Sequence, residues 1–369
     1  MRRTFLLAVV AAFALGALPA HAQQEFKIGV IASMSGGFTG PAKDTIDGWQ
    51  AWQKAHGLPG KKIVVETLDD ETNPVSASNA FRRIASDPSI NLIYLFIPSN
   101  SVMAVKSLAS EFKVPIIAGG AADAIGVPAD PWLFKVAPAV RDFMTVLTQY
   151  AQKKGYKRIA SINAADAFGQ AEITNLKALA PKTGLQVVAA ETFGVEDTNF
   201  NAQLTRIRAA KPDLIYNGAA GRAAILTYRA FQQMGFKQPL VVTQAAIGKA
   251  FFEALGSPAA ADGLMTPMQS GVFGGAAAAD SKLYAEMEKA LGRTPVYFNT
   301  FGFDVGLITE YAVKNSDGSR QGLRDALERI KDLPAVNGPV TYTKEDHTGQ
   351  NYRSIIMGQL KSGKPVPAN

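Results

Sequence analysis

Small side chains and hydrogen-bond donors follow two predicted strands in the first half of the chain. Pro98-Ser99-Asn100-Ser101 comes directly after the apolar run Ile90–Ile97, and Gly119-Gly120-Ala121-Ala122 comes after Val114–Ala118. The first segment opens a predicted helix, whose first-turn N–H groups lack partners within the helix and can bind an anion. Glycine and alanine let a ligand approach the main chain closely. The candidate ligand-binding residues here are Ser99, Asn100, Gly120, Ala121 and Ala122.

A second group of candidates follows other predicted strands. An aromatic ring can cover a ligand, and a guanidinium can neutralise a carboxylate. Each also has an ordinary interpretation, as a core aromatic, an exposed helix-start arginine or a turn residue. In chain order, with the preceding strand in parentheses, they are Phe38 (Phe26–Ala32), Phe168 (Arg158–Asn163), Ala220 and Arg222 (Asp213–Asn217), and Gln244 (Leu240–Thr243).

The residues that most enzymes use are scarce. Cysteine is absent, which excludes disulfides, cysteine nucleophiles and cysteine-based metal sites. Beyond the first 22 residues the histidines are His56 and His347, both in turn-like segments and expected to be exposed. A Ser-His-Asp triad or a histidine-rich zinc site is therefore not expected. We predict a protein that is not an enzyme and uses no metal or cofactor.

Two further motifs have ordinary explanations. The turn Ser35–Gly40 resembles a phosphate-binding loop only loosely, because it lacks the G-x-G-x-x-G spacing. Asp69-Asp70-Glu71 follows the strand Lys62–Leu68 and is expected to be solvated loop charges or helix caps. Neither motif adds a catalytic site to the prediction.

The candidate residues are held by alternating short strands and amphipathic helices. One β-α-β-α-β series runs from Phe26 to Ala118 and a second from Arg158 to Thr243, which predicts two doubly wound α/β lobes. Ligands of such sheets bind beyond the carboxyl ends of the strands. After these series, helices are expected at 281–291, 297–314 and 321–330, and short strands near 340–343 and 354–357. This tail predicts a chain that crosses between the lobes more than once.

The N-terminus has the features of a cleaved secretory signal. Arg2 and Arg3 precede the apolar run Phe5–Leu18, and Ala20-His21-Ala22 provides small residues before a cut. The run is too short for a membrane-spanning helix, which needs about 20 residues. Residues 1–22 are therefore expected to be a signal peptide. Without a cysteine for lipid attachment or a second apolar span, we expect the exported protein to reside in a periplasm.

The net charge of +7 is spread along the chain. Its basic pairs form no continuous face interleaved with aromatic residues, so nucleic acid is not expected as a partner.

Several segments together resemble the leucine/isoleucine/valine-binding protein family, the type I periplasmic solute receptors of branched-chain-amino-acid-type ABC importers. The resemblance extends over the whole chain after residue 22. The segments that carry it are Ile28–Gly36, Leu68–Pro74, Val114–Ala122, Ala165–Gly169, Asp213–Gly218, Gly235-Phe236 and Asn337–Val340.

The resemblance implies two α/β lobes, joined by a three-stranded hinge, that close over a ligand. It assigns 23–139 and 268–336 to lobe 1, and 140–267 and 337–369 to lobe 2. A small carboxylate ligand and an inner-membrane ABC permease are the implied partners, and we expect a monomer. Two other classes stay open: a periplasmic α/β hydrolase, and a sensory lobe that passes its ligand to a signalling protein.

Three positions depart from the family pattern. Ala122 stands where a Thr or Ser hydroxyl is usual, Ala220 where an aromatic is usual, and Gln244 where an acidic residue meets the ligand ammonium. Leaving a buried ammonium unpaired costs roughly 3–5 kcal/mol. The sequence therefore favours a carboxylate without an α-amino group, aromatic or aliphatic. A Leu/Ile/Val-type ligand stays the alternative, with Asp123 or Asp142 as the acid.

Overall fold

The computed structural model describes residues 24–274 and 279–368. The first lobe contains a fully parallel five-stranded sheet in the order β2-β1-β3-β4-β5. Its strands are β1 (Gln24–Ala32), β2 (Lys61–Asp69), β3 (Leu92–Phe96), β4 (Ile116–Ala118) and β5 (Leu133–Lys135). Strand β3 is buried along its whole length, as expected of an apolar strand covered by helices on both faces.

Within the described residues, seven helices belong to this lobe. They are α1 (Thr39–Ala55), α2 (Pro74–Ala85), α3 (Ser99–Phe112), α4 (Asp123–Gly126), α10 (Ser281–Leu291), α11 (Tyr297–Lys314) and α12 (Arg320–Glu328). The start of α2 is set by local sequence. The Asn73 side chain accepts the Val75 N–H at 2.8 Å, and Pro74 occupies the first helical position.

Helices α1 and α11 pack unusually closely because glycines lie at their contacts. A Cβ at Gly48 would overlap the Asn299 carbonyl, and one at Gly302 or Gly306 would overlap α1. This packing places the aromatic first turns of α11 at the edge of the first sheet.

The second lobe contains a seven-stranded sheet in the order β12-β11-β10-β9-β8-β6-β7, with β11 antiparallel to both of its neighbours. Its strands are β6 (Arg158–Ala164), β7 (Gln186–Phe193), β8 (Leu214–Gly218), β9 (Leu240–Val242), β10 (Met265–Gln269), β11 (Ile355–Lys361) and β12 (Lys364–Pro367). Its helices are α5 (Val140–Lys153), α6 (Ala167–Leu179), α7 (Asn201–Ala209), α8 (Gly221–Gln233) and α9 (Lys249–Ala254). The predicted class, two doubly wound α/β lobes, is confirmed.

The described part of the chain passes between the lobes three times: after β5, after β10, and between His347 and β11. The predicted lobe boundary at residue 337 is displaced. Tyr342 donates its hydroxyl to the Lys135 carbonyl at 2.9 Å, and Val340 lies in the first-lobe core. Residues up to about 347 therefore belong to the first lobe. The expected strand at 340–343 is reduced to isolated bridges: among the residues that the structure describes, Val340 pairs with Leu333 and Thr341 with Gly349, and no longer ladder forms.

The prediction that His347 is exposed is wrong. Its ring is buried and stacks on Phe134 at 4.2 Å, and Nδ1 lies 2.9 Å from the Leu133 carbonyl oxygen. Burial lowers the pKa of His347, so the neutral ring is favoured. His56 lies at the end of α1, 3.1 Å from Glu286 and 3.2 Å from Glu310.

The acidic run after β2 is also less solvated than expected. Asp70 is fully buried and accepts the Ser33 hydroxyl at 2.6 Å, while Asp69 accepts the Met34 N–H at 2.9 Å. The two carboxylates therefore stabilise the turn after β1. The Thr72 hydroxyl oxygen accepts the Phe38 N–H at 3.2 Å.

The predicted signal peptide lies outside the described residues. Within them, none of the helices combines the length and hydropathy required to cross a membrane.

Candidate functional site

A deep cleft separates the two lobes, at the carboxyl ends of the parallel strands of both sheets. It encloses about 1260 Å³, including the part open to solvent. All but one of the residues predicted from the sequence line it. The residues are Phe38, Ser99, Asn100, Gly120 and Ala121 from the first lobe, and Phe168, Ala220, Arg222 and Gln244 from the second.

Ser99 organises the first-lobe wall. Its Oγ accepts the main-chain N–H groups of Ala121 at 3.2 Å and Ala122 at 3.3 Å. These two N–H groups were expected to bind the ligand, but they donate to the Ser99 hydroxyl instead. What Ser99 offers to a ligand is its hydroxyl proton, since a hydroxyl can donate once while accepting twice.

The start of α3 supplies further donors. Its N-cap residue is Pro98, which makes no side-chain cap, so the first-turn N–H groups are left for a ligand. The helix dipole also favours a negative charge there. Beside it, the buried Oδ1 of Asn100 has no hydrogen-bond partner among the described residues. This corner of the cleft can bind a carboxylate and a neighbouring hydrogen-bond donor.

Ala122 is the predicted residue that does not line the cleft. It is buried among the first-lobe core residues, behind the loop that Gly120 and Ala121 present. Gly120 has φ +79°, and a Cβ there would press on Ile125 and Ser99. The loop therefore requires glycine at this position and turns Ala122 away from the ligand.

Aromatic rings cover much of the cleft. Phe38 meets Phe298 edge-on at 5.8 Å, and Phe96 meets Phe301 edge-on at 6.4 Å. The aromatic residues lining the cleft are Phe38, Phe96, Phe168, Phe193, Tyr297, Phe298 and Phe301. Those from α11 were missed in the sequence, because only the pairing of α11 with α1 brings them to the cleft.

On the second-lobe wall, Gln244 follows β9 and is 2% exposed. Its Oε1 accepts the Thr243 hydroxyl at 2.9 Å. Ala220 is the N-cap of α8, and Arg222 lies exposed in the first turn of that helix. The wall thus presents an amide, a small side chain and a guanidinium.

The sequence reasoning also missed an acidic residue, Asp166, which lines the cleft. It caps α6 by accepting the Gly169 N–H at 2.9 Å, and burial raises its pKa. The sequence contained a signal for Asp166, because it lies in the segment Ala165–Gly169, two residues before the candidate Phe168. Glu196 and Asp197 line the cleft too, but both are exposed.

Asp123 and Asp142, the acids considered from sequence, lie elsewhere. Asp123 accepts the Arg141 N–H at 3.1 Å and also binds Asn175, and Asp142 accepts the Ala139 N–H at 3.1 Å. Neither belongs to the cleft lining. An ammonium in the cleft would meet Asp166 instead.

The lobes touch each other on both sides of the cleft. On one side the Arg222 N–H donates to the Gly37 carbonyl at 3.0 Å, and the Lys249 N–H donates to Asp44 at 3.0 Å. On the other side Asn175 binds Asp123. The cleft is therefore held in a closed arrangement that shields much of its interior from water.

Comparison with known proteins agrees with this architecture. A family model described as periplasmic binding protein matches residues 25–365. The chain belongs to this family.

Individual relatives are distant. The Leu/Ile/Val-binding protein BraC3 of Rhizobium johnstonii is 23% identical, over 99% of both chains. An extracellular ligand-binding receptor of Rhodopseudomonas palustris HaA2 has a similar crystal structure, with TM-score 0.85, 25% identity and coverage of 94% of this chain and 100% of that one. An R. palustris ABC-transporter solute-binding protein in complex with benzoate has TM-score 0.81 at 22% identity, over 94% of this chain and 96% of that one.

The family and the fold together define this protein as a periplasmic binding protein of the ABC-transporter type. Such proteins are solute receptors rather than enzymes, and the family places this one in the periplasm.

Proposed function

We propose that this periplasmic binding protein binds a small aromatic carboxylate without an α-amino group and delivers it to an inner-membrane ABC permease. The observation that carries the proposal is the cleft itself. It combines a wall of aromatic rings with an uncapped helix start at Ser99, and an uncharged Gln244 faces them from the second lobe.

Each part of the cleft matches one part of such a ligand. The hydroxyl of Ser99 and the first-turn N–H groups of α3 bind the carboxylate. The ring packs edge-on or offset-stacked against Phe168 and the aromatic residues of α11, an arrangement that aromatic pairs prefer. Gln244 and Arg222 then form hydrogen bonds with a further polar substituent of the ligand, or with a carboxylate oxygen that Ser99 and α3 leave free. The benzoate complex of a protein with this fold is consistent with a ligand of this size and class.

Closure of the lobes on the ligand is part of the proposal. The contacts of Gly37 with Arg222 and of Asp44 with Lys249 cross between lobes, so they form only when the cleft is shut. A bound ligand adds its own contacts to both walls and shifts the population towards this state. We propose that the closed monomer is the form that the permease recognises.

A thermal-shift screen tests the ligand class. Benzoate, 4-hydroxybenzoate and 3-phenylpropionate are compared with leucine, isoleucine, valine and phenylalanine. At a ligand concentration about 100 times Kd, binding adds about 2.7 kcal/mol to the free energy of unfolding. We expect the aromatic acids to raise Tm and to be recovered unchanged by chromatography. A rise in Tm with the branched-chain amino acids alone would reject the proposal, and conversion of an acid to product would indicate an enzyme.

Asp166 favours a second candidate, an α-amino acid, because it is an acid lining the cleft. Its carboxylate is already engaged as the cap of α6, and burial raises its pKa, so it is a weak partner for an ammonium. We therefore rank the amino acid below the aromatic acid.

Asp166→Asn separates the two candidates. Asparagine keeps the helix cap, since its side-chain oxygen can also accept the Gly169 N–H. We expect benzoate to bind with unchanged or slightly higher affinity, because a negative charge near an anion has been removed. An amino-acid ligand would instead lose at least about tenfold in affinity with its charge partner. Titration calorimetry on wild type and variant measures both, and Glu111→Gln, at the exposed C-terminal end of α3 and outside the cleft lining, controls for net charge.

A further inference from the structure

A buried lysine lies where the first lobe joins the hinge. Lys135, the last residue of β5, is fully buried. Its Nζ donates to the Pro138 carbonyl at 3.1 Å and to the Ala121 carbonyl at 3.3 Å. Pro138 belongs to the passage that leads from β5 into the second lobe, and Ala121 lines the cleft. The lysine therefore connects the hinge to the ligand site.

Within the described residues, the Lys135 ammonium has main-chain carbonyls and no carboxylate as hydrogen-bond partners. The acids whose charges act on it are Asp123, Asp142 and Asp346. The last two lie 4.0 and 3.7 Å from the Arg141 side chain instead. Burial lowers the pKa of Lys135 to about 8, which still leaves most of the side chain protonated at neutral pH. A buried positive charge therefore lies behind the first-lobe wall of the cleft.

A single peptide group lies between this lysine and Ser99. Its carbonyl, from Ala121, accepts the Lys135 ammonium at 3.3 Å. Its N–H, from Ala122, donates to Ser99 Oγ at 3.3 Å. A positive charge at the carbonyl end polarises the peptide group and strengthens the hydrogen bond at its N–H end. Ser99 Oγ, as the acceptor of that bond, becomes a better donor of its own proton.

We propose that Lys135 is a positioning residue for an anionic ligand, which fixes the loop 119–122 to the hinge and strengthens the Ser99 hydroxyl as a donor to the ligand carboxylate. The Ala121 carbonyl also accepts the N–H of Val140, the first residue of α5, at 2.9 Å. A carboxylate at Ser99 is thereby connected to the start of the second lobe. The effect on the ligand rests on the carboxylate site of the proposed function, but the connection of the loop to the hinge does not.

Lys135→Met removes the ammonium and keeps an unbranched apolar side chain. We expect it to weaken benzoate binding on the order of tenfold in titration calorimetry, because a positive charge near the ligand carboxylate is lost. Lys106→Met is the matched control. The Lys106 Nζ also donates to two main-chain carbonyls of the first lobe, those of Ala124 at 2.6 Å and Pro128 at 2.7 Å, but Lys106 does not line the cleft. Its replacement should leave benzoate binding unchanged.

Chemical rescue separates the ammonium from the volume of the side chain. Because the chain has no cysteine, Lys135→Cys provides a single site for alkylation in urea, followed by refolding. Bromoethylamine restores a lysine-like side chain, and 1-iodopropane gives the same shape with a methyl group in place of the ammonium. We expect the aminoethylated protein to bind benzoate like wild type carried through the same steps, and the propylated protein on the order of tenfold more weakly. Equal affinities, no recovery in the aminoethylated protein, or failure of the propylated protein alone to refold would overturn the inference.

Amide hydrogen exchange of the two alkylated proteins tests the connection to the hinge without a ligand. We expect the Ala122 and Val140 N–H groups to exchange at least about tenfold faster in the propylated protein, relative to the amides of β3, because the loop has lost its bond to the ammonium. Equal exchange rates would overturn the inference. Binding of leucine but not benzoate, with the same loss in the propylated protein, would reject the proposed ligand and support Lys135. If neither binds to wild type, the proposed function is rejected, and the exchange rates alone decide the inference.

Discussion

Replacing Ser99 by alanine is expected to weaken the binding of an aromatic carboxylate by about tenfold to a hundredfold. A hydrogen bond to a charged group contributes about 1.5–3 kcal/mol to the free energy of binding. Ser99 is the first residue of α3, and its hydroxyl is the side-chain donor proposed to bind the carboxylate. The variant also removes the acceptor for the N–H groups of Ala121 and Ala122. Buried donors without a partner destabilise a protein by about 1–3 kcal/mol each, so the midpoint of urea unfolding should fall too.

Ser107→Ala is the matched control for this variant. Ser107 lies on the same helix, is exposed, and bonds only to the Ala104 carbonyl among the described residues. Calorimetry should show unchanged benzoate binding in Ser107→Ala and a large loss in Ser99→Ala. Equal affinities in the two variants would remove Ser99 from the site.

Gln244→Glu is expected to cause the second large loss, at least about tenfold for benzoate above neutral pH. The new carboxyl would be buried in the cleft wall, which Asp166 also lines, and would repel an anionic ligand. The loss should grow with pH, because burial keeps part of the new carboxyl neutral at lower pH. An α-amino acid should gain affinity in the same variant.

The control for the added charge is Gln233→Glu, at the exposed end of α8 in the same lobe. Calorimetry at two pH values compares the two variants with wild type. If Gln244→Glu binds benzoate as tightly as Gln233→Glu does, the ligand does not approach Gln244, and the proposed pose is wrong.

The sequence was sufficient to predict the two lobes and much of the cleft. Strand ends such as Ile97 and Thr243 are marked by a change from apolar to small or polar residues, and the carboxyl ends of parallel strands lie at one edge of a sheet. The residues after them, including Ser99, Phe168 and Gln244, therefore reached the cleft as expected. These predictions depend on local pattern and on a general rule of the fold.

What could not be predicted depends on contacts between distant segments. Phe298 and Phe301 reach the cleft only because glycines let α11 pack closely on α1, about 250 residues away in the chain. His347 lies in a polar segment typical of a turn, yet it packs on β5 from across the lobe. The three-residue strand β5 is too short to show a periodic pattern.

The role of Ser99 illustrates a limit of a different kind. Its position at a helix start indicated a ligand contact, but no residue pattern indicated that its oxygen accepts two main-chain N–H groups. Hydrogen-bond partners depend on the direction of individual bonds, which follows from the folded loop.

The central claim, that the cleft selects a carboxylate without an α-amino group, is tested most directly by titration calorimetry of one matched pair. 3-Phenylpropionate and L-phenylalanine differ only in the amino group, so their difference in binding free energy reports how the cleft treats an ammonium. We expect 3-phenylpropionate to bind at least about tenfold more tightly, since Gln244 provides no charge to offset the desolvation of the ammonium. Tighter binding of L-phenylalanine would contradict the account and assign Asp166 as the partner of the ammonium.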